Sequence, residues 1–390
     1  MLYPRTVTTT DMPLSSPQIP SYSLLHTEWS KGWGGQEIRI LAESRAFRER
    51  GVNVIIATQP DATLYNKALE AGFTIAPVRM HKGLNFGAVA KLVKIIRENK
   101  IDIVHSHSSV DHRLAGIAAR LTGRPIVRSR HLSTPIKRSP LSKALYTKLA
   151  DKVITSGEFI RDAMIEHNGM PPNHIVSIPA GTDIDQFSLK RDLPNVRGNF
   201  GINESDFVVG IVGVLRSWKG HADLIHAAIM ARQRIPHLKL LIVGEGPQRP
   251  AIEKMIDETL SSDFIHLTGH QADPAPFMKA MDIVTLPSYA NEATSQVLPQ
   301  AMAMFRPVIS SNIGGLPEVV IHEKTGLLVP PHSPDKLANA IVYLYENPSL
   351  RNELAAQGHL HILKRFTFKG MIDNTQHVYE ELLVGRRNLY

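Results

Sequence analysis

The sequence predicts an α/β protein made of two Rossmann-like, doubly wound halves, and three observations carry that prediction. At 390 residues the chain exceeds the ~250–300 residues that one hydrophobic core supports. Strand-like apolar runs alternate with helical stretches along its whole length, the pattern of parallel sheets covered by helices. A polar stretch at 191–206, holding Pro194, Gly198 and Gly201, interrupts that alternation once and reads as a linker. Ligands are then expected at the carboxyl ends of the strands, in a cleft between the halves.

In the first half, 21–190, strands are expected at 23–26, 52–58, 74–78, 103–105, 126–129, 152–155 and 175–178. Helices are expected between them at 36–50, 86–99, 112–121, 139–150 and 158–167. The second half, 207–367, reads as strands at 208–214, 239–243, 264–268, 283–286, 308–310 and 326–329. Its helices fall at 222–234, 249–260, 275–280, 295–304 and 334–346. Residues 1–20, rich in Thr, Pro and Ser, read as a loose arm without the apolar core of a signal peptide. The last segment, 368–390, has helical period, with Met371, Ile372, Val378, Tyr379, Leu382 and Leu383 near one face.

Composition narrows the function classes. Hydrophobic content of 43% with 21% charged residues is ordinary for a soluble globular protein. The absence of cysteine excludes disulfides and thiolate metal sites. No run approaches the ~20 apolar residues of a membrane span, so the expected location is the cytoplasm. Net charge is +8, and the excess is uneven: ten basic residues against the single acid Asp151 lie between Arg113 and Lys152. Such a stretch attracts polyanions or anionic lipid headgroups, or is simply a solvated face. It lacks the interleaved aromatics of a base-stacking surface, so nucleic acid is not expected.

The most informative segment is 283–331. A strand ends in Pro287-Ser288, Glu292 follows, and a helix is expected to begin near Ser295. A helix start presents unpaired N–H groups and partial positive charge, which favours an anionic ligand. Glu292 is unsuited to hold a phosphate but suited to accept hydrogen bonds from hydroxyls on a neutral portion of that ligand. The next strand leads to Gly314-Gly315, where backbone can approach closely.

This segment resembles the carboxyl-terminal signature of family 4 glycosyltransferases, retaining enzymes of the GT-B fold. The usual form is a Glu, seven residues, a second Glu, then Ala-Met-Ala. Here the run is Glu292, seven residues, Gln300, Ala301, Met302 and Ala303, so Glu292 fits and Gln300 departs. Phe305 stands where relatives usually have Gly. The resemblance covers about 24–383. It implies two Rossmann-like domains facing a cleft, the first binding acceptor and the second binding donor, with the last helix crossing back to the first.

The roles it implies follow residue by residue. Lys219, before Gly220, and Arg216 would stabilise the departing diphosphate; relatives usually have Arg at the position of Val214, so Arg216 would substitute from two residues on. Backbone N–H groups of Gln296 and Val297, beside Thr294 and Ser295, would meet the distal phosphate. Glu292 would meet the donor sugar and Gln300 the ribose. Gly244, in the Gly244-Glu245-Gly246 turn, and His270 with Gln271 are further donor candidates, the last two beside the nucleobase. In the first half, Gly34 and Gly35 form the loop beside the donor phosphate, and His131 lies at a strand end next to the transferred sugar. In the resembled scheme the leaving phosphate takes the acceptor proton, so His131 orients groups and need not be the base.

His105-Ser106-His107 has a spacing used by some metal sites, but no third ligand is evident in the sequence nearby. These histidines and Arg130 are therefore acceptor-side candidates. Asp183-Ile184-Asp185 matches the metal motif of another glycosyltransferase fold but falls in a strand-end turn, and is read as structural. The expected activity is retaining transfer from a nucleotide-diphosphate sugar, without metal or other cofactor. The expected acceptor is a sugar, a lipid-linked or a lipopolysaccharide-type molecule, reached through a peripheral membrane contact at 113–152. A sugar-nucleotide epimerase and a non-catalytic nucleotide-sugar module remain the alternatives.

Overall fold

Short apolar runs in this chain are bounded by polar turns, and those at the centre of each sheet become strands buried on both faces. The computed structural model describes residues 22–83, 85–131, 136–290 and 292–387. The arm expected at 1–20 and the end of the last helix at 388–390 lie outside them. Seven strands form the first sheet: β1 (Ser23–Glu28), β2 (Asn53–Thr58), β3 (Thr74–Pro77), β4 (Ile103–Ser106), β5 (Ile126–Arg130), β6 (Lys152–Thr155) and β7 (Ile175–Ser177). Their order is β3-β2-β1-β4-β5-β6-β7, all parallel. The second sheet holds β8 (Phe207–Val212), β9 (Leu238–Val243), β10 (Ile265–Gly269), β11 (Ile283–Leu286), β12 (Val308–Ser311) and β13 (Leu327–Val329). Its order is β10-β9-β8-β11-β12-β13, again parallel.

Both sheets reverse direction of growth once, between β1 and β4 and between β8 and β11. At such a switch point the following loops diverge to opposite faces and leave a crevice at the strands' carboxyl ends. The loops that leave β1, β4, β8 and β11 there carry Gly34, His107, Lys219 and Glu292 respectively.

The helix Phe368–Arg387 returns to the first domain. Its Met371, Ile372, Val378 and Tyr379 are buried in one cluster with Tyr22, Leu24, Ile40 and Phe47. The crossing segment is pinned by Thr182 N–H to the Phe366 carbonyl at 2.7 Å and Phe368 N–H to the Thr182 carbonyl at 2.8 Å. No helix among the described residues is long and apolar enough to cross a membrane.

Besides the single turn Leu316–Val319, two helices appear where the sequence pattern marks none, at Thr63–Glu70 and Pro348–Arg365. The first is short and buries only Leu64 and Ala68. The second buries a thin stripe of Leu354, Ala355, Gly358 and Ile362, in which a glycine interrupts the apolar signal. A Cβ at Gly358 would sit 3.1 Å from both Met302 Cε and the Thr325 carbonyl, so close helix packing accounts for it. Phe305 has φ +53° just past the helix Val297–Ala303, the left-handed position that glycine usually fills after a helix end. Its ring stacks on His359 at 3.8 Å between centroids, a contact that offsets part of the backbone strain.

The basic stretch is less uniform than its sequence implies. Arg128 is buried with its guanidinium 3.6 Å from the Tyr146 ring centre. Arg120 pairs with Asp151, Arg124 with Asp102 and Lys152 with Glu381, two of these acids coming from outside the stretch. Lys137, Arg138, Lys143 and Lys148 remain exposed.

Candidate active site between the two domains

Lys219 lies on a single 3-10 turn, Ser217–Lys219, that leaves β8. Two contacts hold that turn against the end of β11. Tyr289 N–H donates to the Trp218 carbonyl at 2.9 Å. At Gly220, φ is +77° and an added Cβ would overlap the Pro287 carbonyl. The result is that Lys219 Nζ reaches Glu292 Oε1 at 2.6 Å. Ser288 Oγ donates to the same oxygen at 2.7 Å. Glu292 is 6% exposed, and Gly315 N–H donates to its carbonyl at 3.3 Å. The ammonium and the carboxylate, 73 residues apart, therefore share one slot.

Other residues of the donor side are placed differently from expectation. The helix begins at Val297, two residues late, and Val297 N–H donates to Ser295 Oγ at 3.3 Å. Thr294 Oγ1 turns away and donates to the Ser156 carbonyl of the first domain at 2.6 Å, so its role is a contact between domains. Gln296 and Gln300 are half-buried on either side of that first turn. Arg216 is exposed with its guanidinium 5.0 Å from the Trp218 ring centre, and its contact is that ring. His270 is exposed after β10, and Gln271 Nε2 donates to the Thr268 carbonyl at 2.9 Å. A Cβ at Gly244 would overlap the Gly213 carbonyl, and one at Gly246 would meet the Leu215 carbonyl at 2.6 Å. Close packing of two strand-end loops thus explains this glycine pair without a ligand.

On the first domain, Gly34 N–H donates to Glu37 Oε2 at 2.8 Å, closing the start of the helix Gly35–Glu49. Glu28, which the sequence does not mark, holds the same loop: Ser30 N–H donates to Oε1 at 2.6 Å and Gln36 Nε2 donates to Oε2. Burial and the nearby Asp111 push its carboxyl up to about 8. The folded-state value is above the unfolded one, so the folded protein binds the extra proton and this contribution is lost as pH rises from about 4.5 to about 8. The melting temperature of Glu28→Gln, which carries no such charge, is expected to fall less than wild type across that interval.

His131 sits at the end of β5, half-buried, and its Nε2 lies 3.2 Å from His107 Nδ1. His105 and His107 are not acceptor-side groups, because both are buried beneath the cleft at 0% and 2% exposure. The fold also brings His26 and Glu43 to them, ligand atoms of all four lying within 4.8 Å of one another, where the sequence shows no third ligand. Most of the donor atoms a cation would need are already used. His105 bonds Tyr379 Oη at 2.6 Å and Ser129 Oγ at 2.8 Å, and His107 Nε2 lies 2.8 Å from His26 Nδ1. Arg130 is likewise engaged, its Nη1 donating to Tyr146 Oη at 2.8 Å.

Glu318 joins the domains. Its carboxylate accepts N–H bonds from Glu158 at 2.8 Å and Phe159 at 2.5 Å, at the start of the helix Glu158–Glu166. A Cβ at Gly157 would lie 3.2 Å from Glu318 Oε1, so this approach requires a small residue. Burial pushes the Glu318 carboxyl above its usual range while the two N–H donors pull it back. Glu318→Ala is expected to weaken domain closure, raising donor KM about three- to tenfold with a smaller change in stability. Small-angle scattering with and without nucleotide would show the more open average shape.

Two all-parallel sheets, each with one switch point and bridged by the Thr294 and Glu318 contacts, make the two-domain GT-B fold. Residues 193–361 match the family model described as glycosyl transferases group 1, and residues 33–186 match that of glycosyltransferase family 4. The chain belongs to this family and is a glycosyltransferase. A D-inositol 3-phosphate glycosyltransferase of Streptomyces bingchenggensis is 26% identical over 317 residues, covering 75% of this chain and 69% of that one. Its counterpart from Pseudarthrobacter chlorophenolicus is 26% identical over 356 residues, covering 82% and 84%. Among solved structures, a glycosyltransferase of Rickettsia africae superimposes with TM-score 0.86 at 20% identity, covering 94% of this chain and 99% of that one. HepE of Anabaena in complex with UDP gives TM-score 0.81 at 22% identity, covering 92% and 100%.

Proposed function

We propose that the chain is a retaining glycosyltransferase that needs no metal ion and moves a sugar from a nucleotide diphosphate to an acceptor hydroxyl. The Lys219–Glu292 contact at 2.6 Å carries this reading. A departing diphosphate gains negative charge as the glycosidic bond breaks, and a fixed ammonium stabilises that charge without a bound cation. In the resting protein Glu292 holds the ammonium in place. When donor enters, the phosphate takes Lys219 and Glu292 turns to the sugar hydroxyls. His131, at the end of β5 in the first domain, orients the same sugar, and Gln300 meets the ribose. UDP is the first nucleotide to test, since HepE has been captured with UDP and with UDP-glucose.

The acceptor side favours an anionic or phosphorylated acceptor. A cavity of about 1080 Å³ at the ends of β1, β2 and β3 is lined by Lys31, Asp61, Arg79, His81 and Lys82; Asp61 pairs with Lys31 at 2.6 Å, so Arg79 and Lys82 carry its excess positive charge. Two of the relatives named above are D-inositol 3-phosphate glycosyltransferases, a name that fits an acceptor pocket with excess positive charge. A lipid-linked or lipopolysaccharide-type acceptor would bring the chain to the cytoplasmic membrane face through Lys137, Arg138, Lys143 and Lys148. The test is a matrix of UDP, GDP, ADP and CMP sugars against free, phosphorylated and lipid-linked sugars, with the product's anomeric configuration read by NMR and EDTA present. Inverted product, or transfer abolished by EDTA, overturns the proposal. Failure to bind anionic vesicles at low salt removes its membrane arm.

A further inference from the structure

Where β2 and β3 part, one side chain takes the place of the sheet. Their ladder ends at Thr58 and Pro77, with one further bond from Val78 N–H to the Thr58 carbonyl at 2.8 Å. Met80 lies just beyond it, buried at 3% exposure, so its backbone groups need partners from elsewhere. Gln59, the residue that follows β2, supplies both. Its Nε2 donates to the Met80 carbonyl at 2.6 Å, and Met80 N–H donates to its Oε1 at 3.0 Å. A carboxamide offers one donor and one acceptor side by side, as a peptide unit does. Gln59 is itself 5% exposed, so water competes little for either bond.

The same Met80 carbonyl accepts from Trp29 Nε1 at 3.2 Å, and Thr63 N–H donates to the Lys31 carbonyl at 3.2 Å. The loops after β1, β2 and β3 are therefore tied to one another pairwise, and together they wall the 1080 Å³ cavity. Burying Met80 leaves Arg79, His81 and Lys82 exposed along that wall. Lys31 is engaged by Asp61 at 2.6 Å; Lys31 and, less strongly, Arg79 hold the Asp61 carboxyl below its usual range. Among the described residues no ion pair engages Arg79 or Lys82. Two such cations on a loop of fixed backbone match the charge and the several acceptor oxygens of a phosphate monoester. Fixing the loop beforehand removes the ordering cost that binding would otherwise carry.

We propose that Gln59 is a positioning residue. It holds the backbone at Met80 so that Arg79 and Lys82 meet one phosphate group of the acceptor, and the transferase thereby prefers phosphorylated acceptors to their unphosphorylated counterparts. The link to transfer rests on the acceptor reading of this cavity, but the phosphate site and the action of Gln59 on it do not.

The test uses the full chain labelled with ¹⁵N-tryptophan, because its three tryptophans stand in three places: Trp29 in the cavity, Trp33 before Gly34, and Trp218 beside Lys219. Their indole N–H signals, assigned through Trp29→Phe and Trp218→Phe, tell this cavity from the donor slot. Inorganic phosphate is titrated at constant ionic strength against chloride. The expected result is a saturable shift of the Trp29 signal, with phosphate bound about tenfold more weakly in Gln59→Met, which keeps the side chain's reach and loses both bonds. Arg79→Ala should weaken binding at least as much. Adding Gln59→Met to Arg79→Ala should then cost about threefold rather than tenfold, since a residue that acts through another has less left to act on. Where Gln59→Met does not fold, Gln59→Asn, one methylene short of Met80, stands in with the same expectation.

A merely structural Gln59 would lower the melting temperature and leave phosphate affinity unchanged, which overturns the proposal, as does full additivity with Arg79→Ala. A shift confined to Trp218, or no saturable shift of Trp29 in the wild type, overturns it whether or not the variants fold. In turnover, Gln59→Met should raise the KM of a phosphorylated sugar acceptor about tenfold and leave its kcat and the KM of the unphosphorylated sugar within about twofold. Phosphate bound as expected, with no preference for phosphorylated acceptors, overturns the acceptor reading and the specificity while the role of Gln59 at the phosphate site stands.

Discussion

Lys219→Ala is expected to lower kcat/KM for sugar transfer by about two to three orders of magnitude, the loss typical of removing one preorganised group that stabilises developing charge. The variant should also lose about 1–3 kcal/mol of stability, because Glu292 at 6% exposure is left with Ser288 as its only side-chain partner among the described residues. These two effects separate in the double variant Lys219→Ala with Glu292→Gln. Removing the stranded charge should recover most of the stability, read from denaturant unfolding, and none of the activity. If stability and activity return together, the pair is a structural bridge and the cation has no role in the departing phosphate. Lys219→Arg keeps the charge but not the compact ammonium geometry, so an intermediate rate is expected.

Gly314→Ala is expected to be among the most damaging single methyl groups in the donor domain. Gly314 has φ +54°, and its added Cβ would overlap the Glu292 carbonyl oxygen. The left-handed backbone alone costs a non-glycine residue of order 1–3 kcal/mol, and the overlap adds to it. Relief requires the Glu292 backbone to move, and the carboxylate moves with it away from Lys219. A displacement near 1 Å at a reacting centre can cost about a hundredfold in rate, so activity should fall that far even where folded protein is recovered. Gly198→Ala supplies the comparison: its Cβ meets nothing within 4 Å, and neither stability nor rate should fall. Nucleotide binding followed by calorimetry would show whether Gly314→Ala loses donor affinity along with turnover.

Much of the fold was legible in the sequence because parallel strands buried on both faces leave continuous apolar runs, as in β8 and β9. Helices with a thin or interrupted buried stripe were not, and Pro348–Arg365 is the example, since Gly358 occupies a core-facing turn. Within the site, Lys219 and Glu292 could be read because each sits in a local motif with its own glycine and strand end. The contacts from His131 through His107 to His26 could not, because their partners lie 81 and 24 residues apart and meet only when β1, β4 and β5 align. The same limit hid Asp102 and Glu381, which neutralise part of the basic stretch from elsewhere in the chain. Thr294 and Glu318 were illegible as closure contacts for a further reason. Their partners, Ser156, Glu158 and Phe159, belong to the other domain, and no local pattern marks a residue that bonds across a cleft.

The central claim is that one slot neutralises a diphosphate with a protein ammonium while the neighbouring carboxylate turns to the sugar. A crystal structure with an intact or fluorinated nucleotide-sugar donor tests it most directly. The account predicts Lys219 Nζ about 2.7–2.9 Å from a phosphate oxygen, Glu292 bonded to sugar hydroxyls, and the resting contact between them broken. Donor bound with that contact still intact, its phosphates held elsewhere, would contradict it.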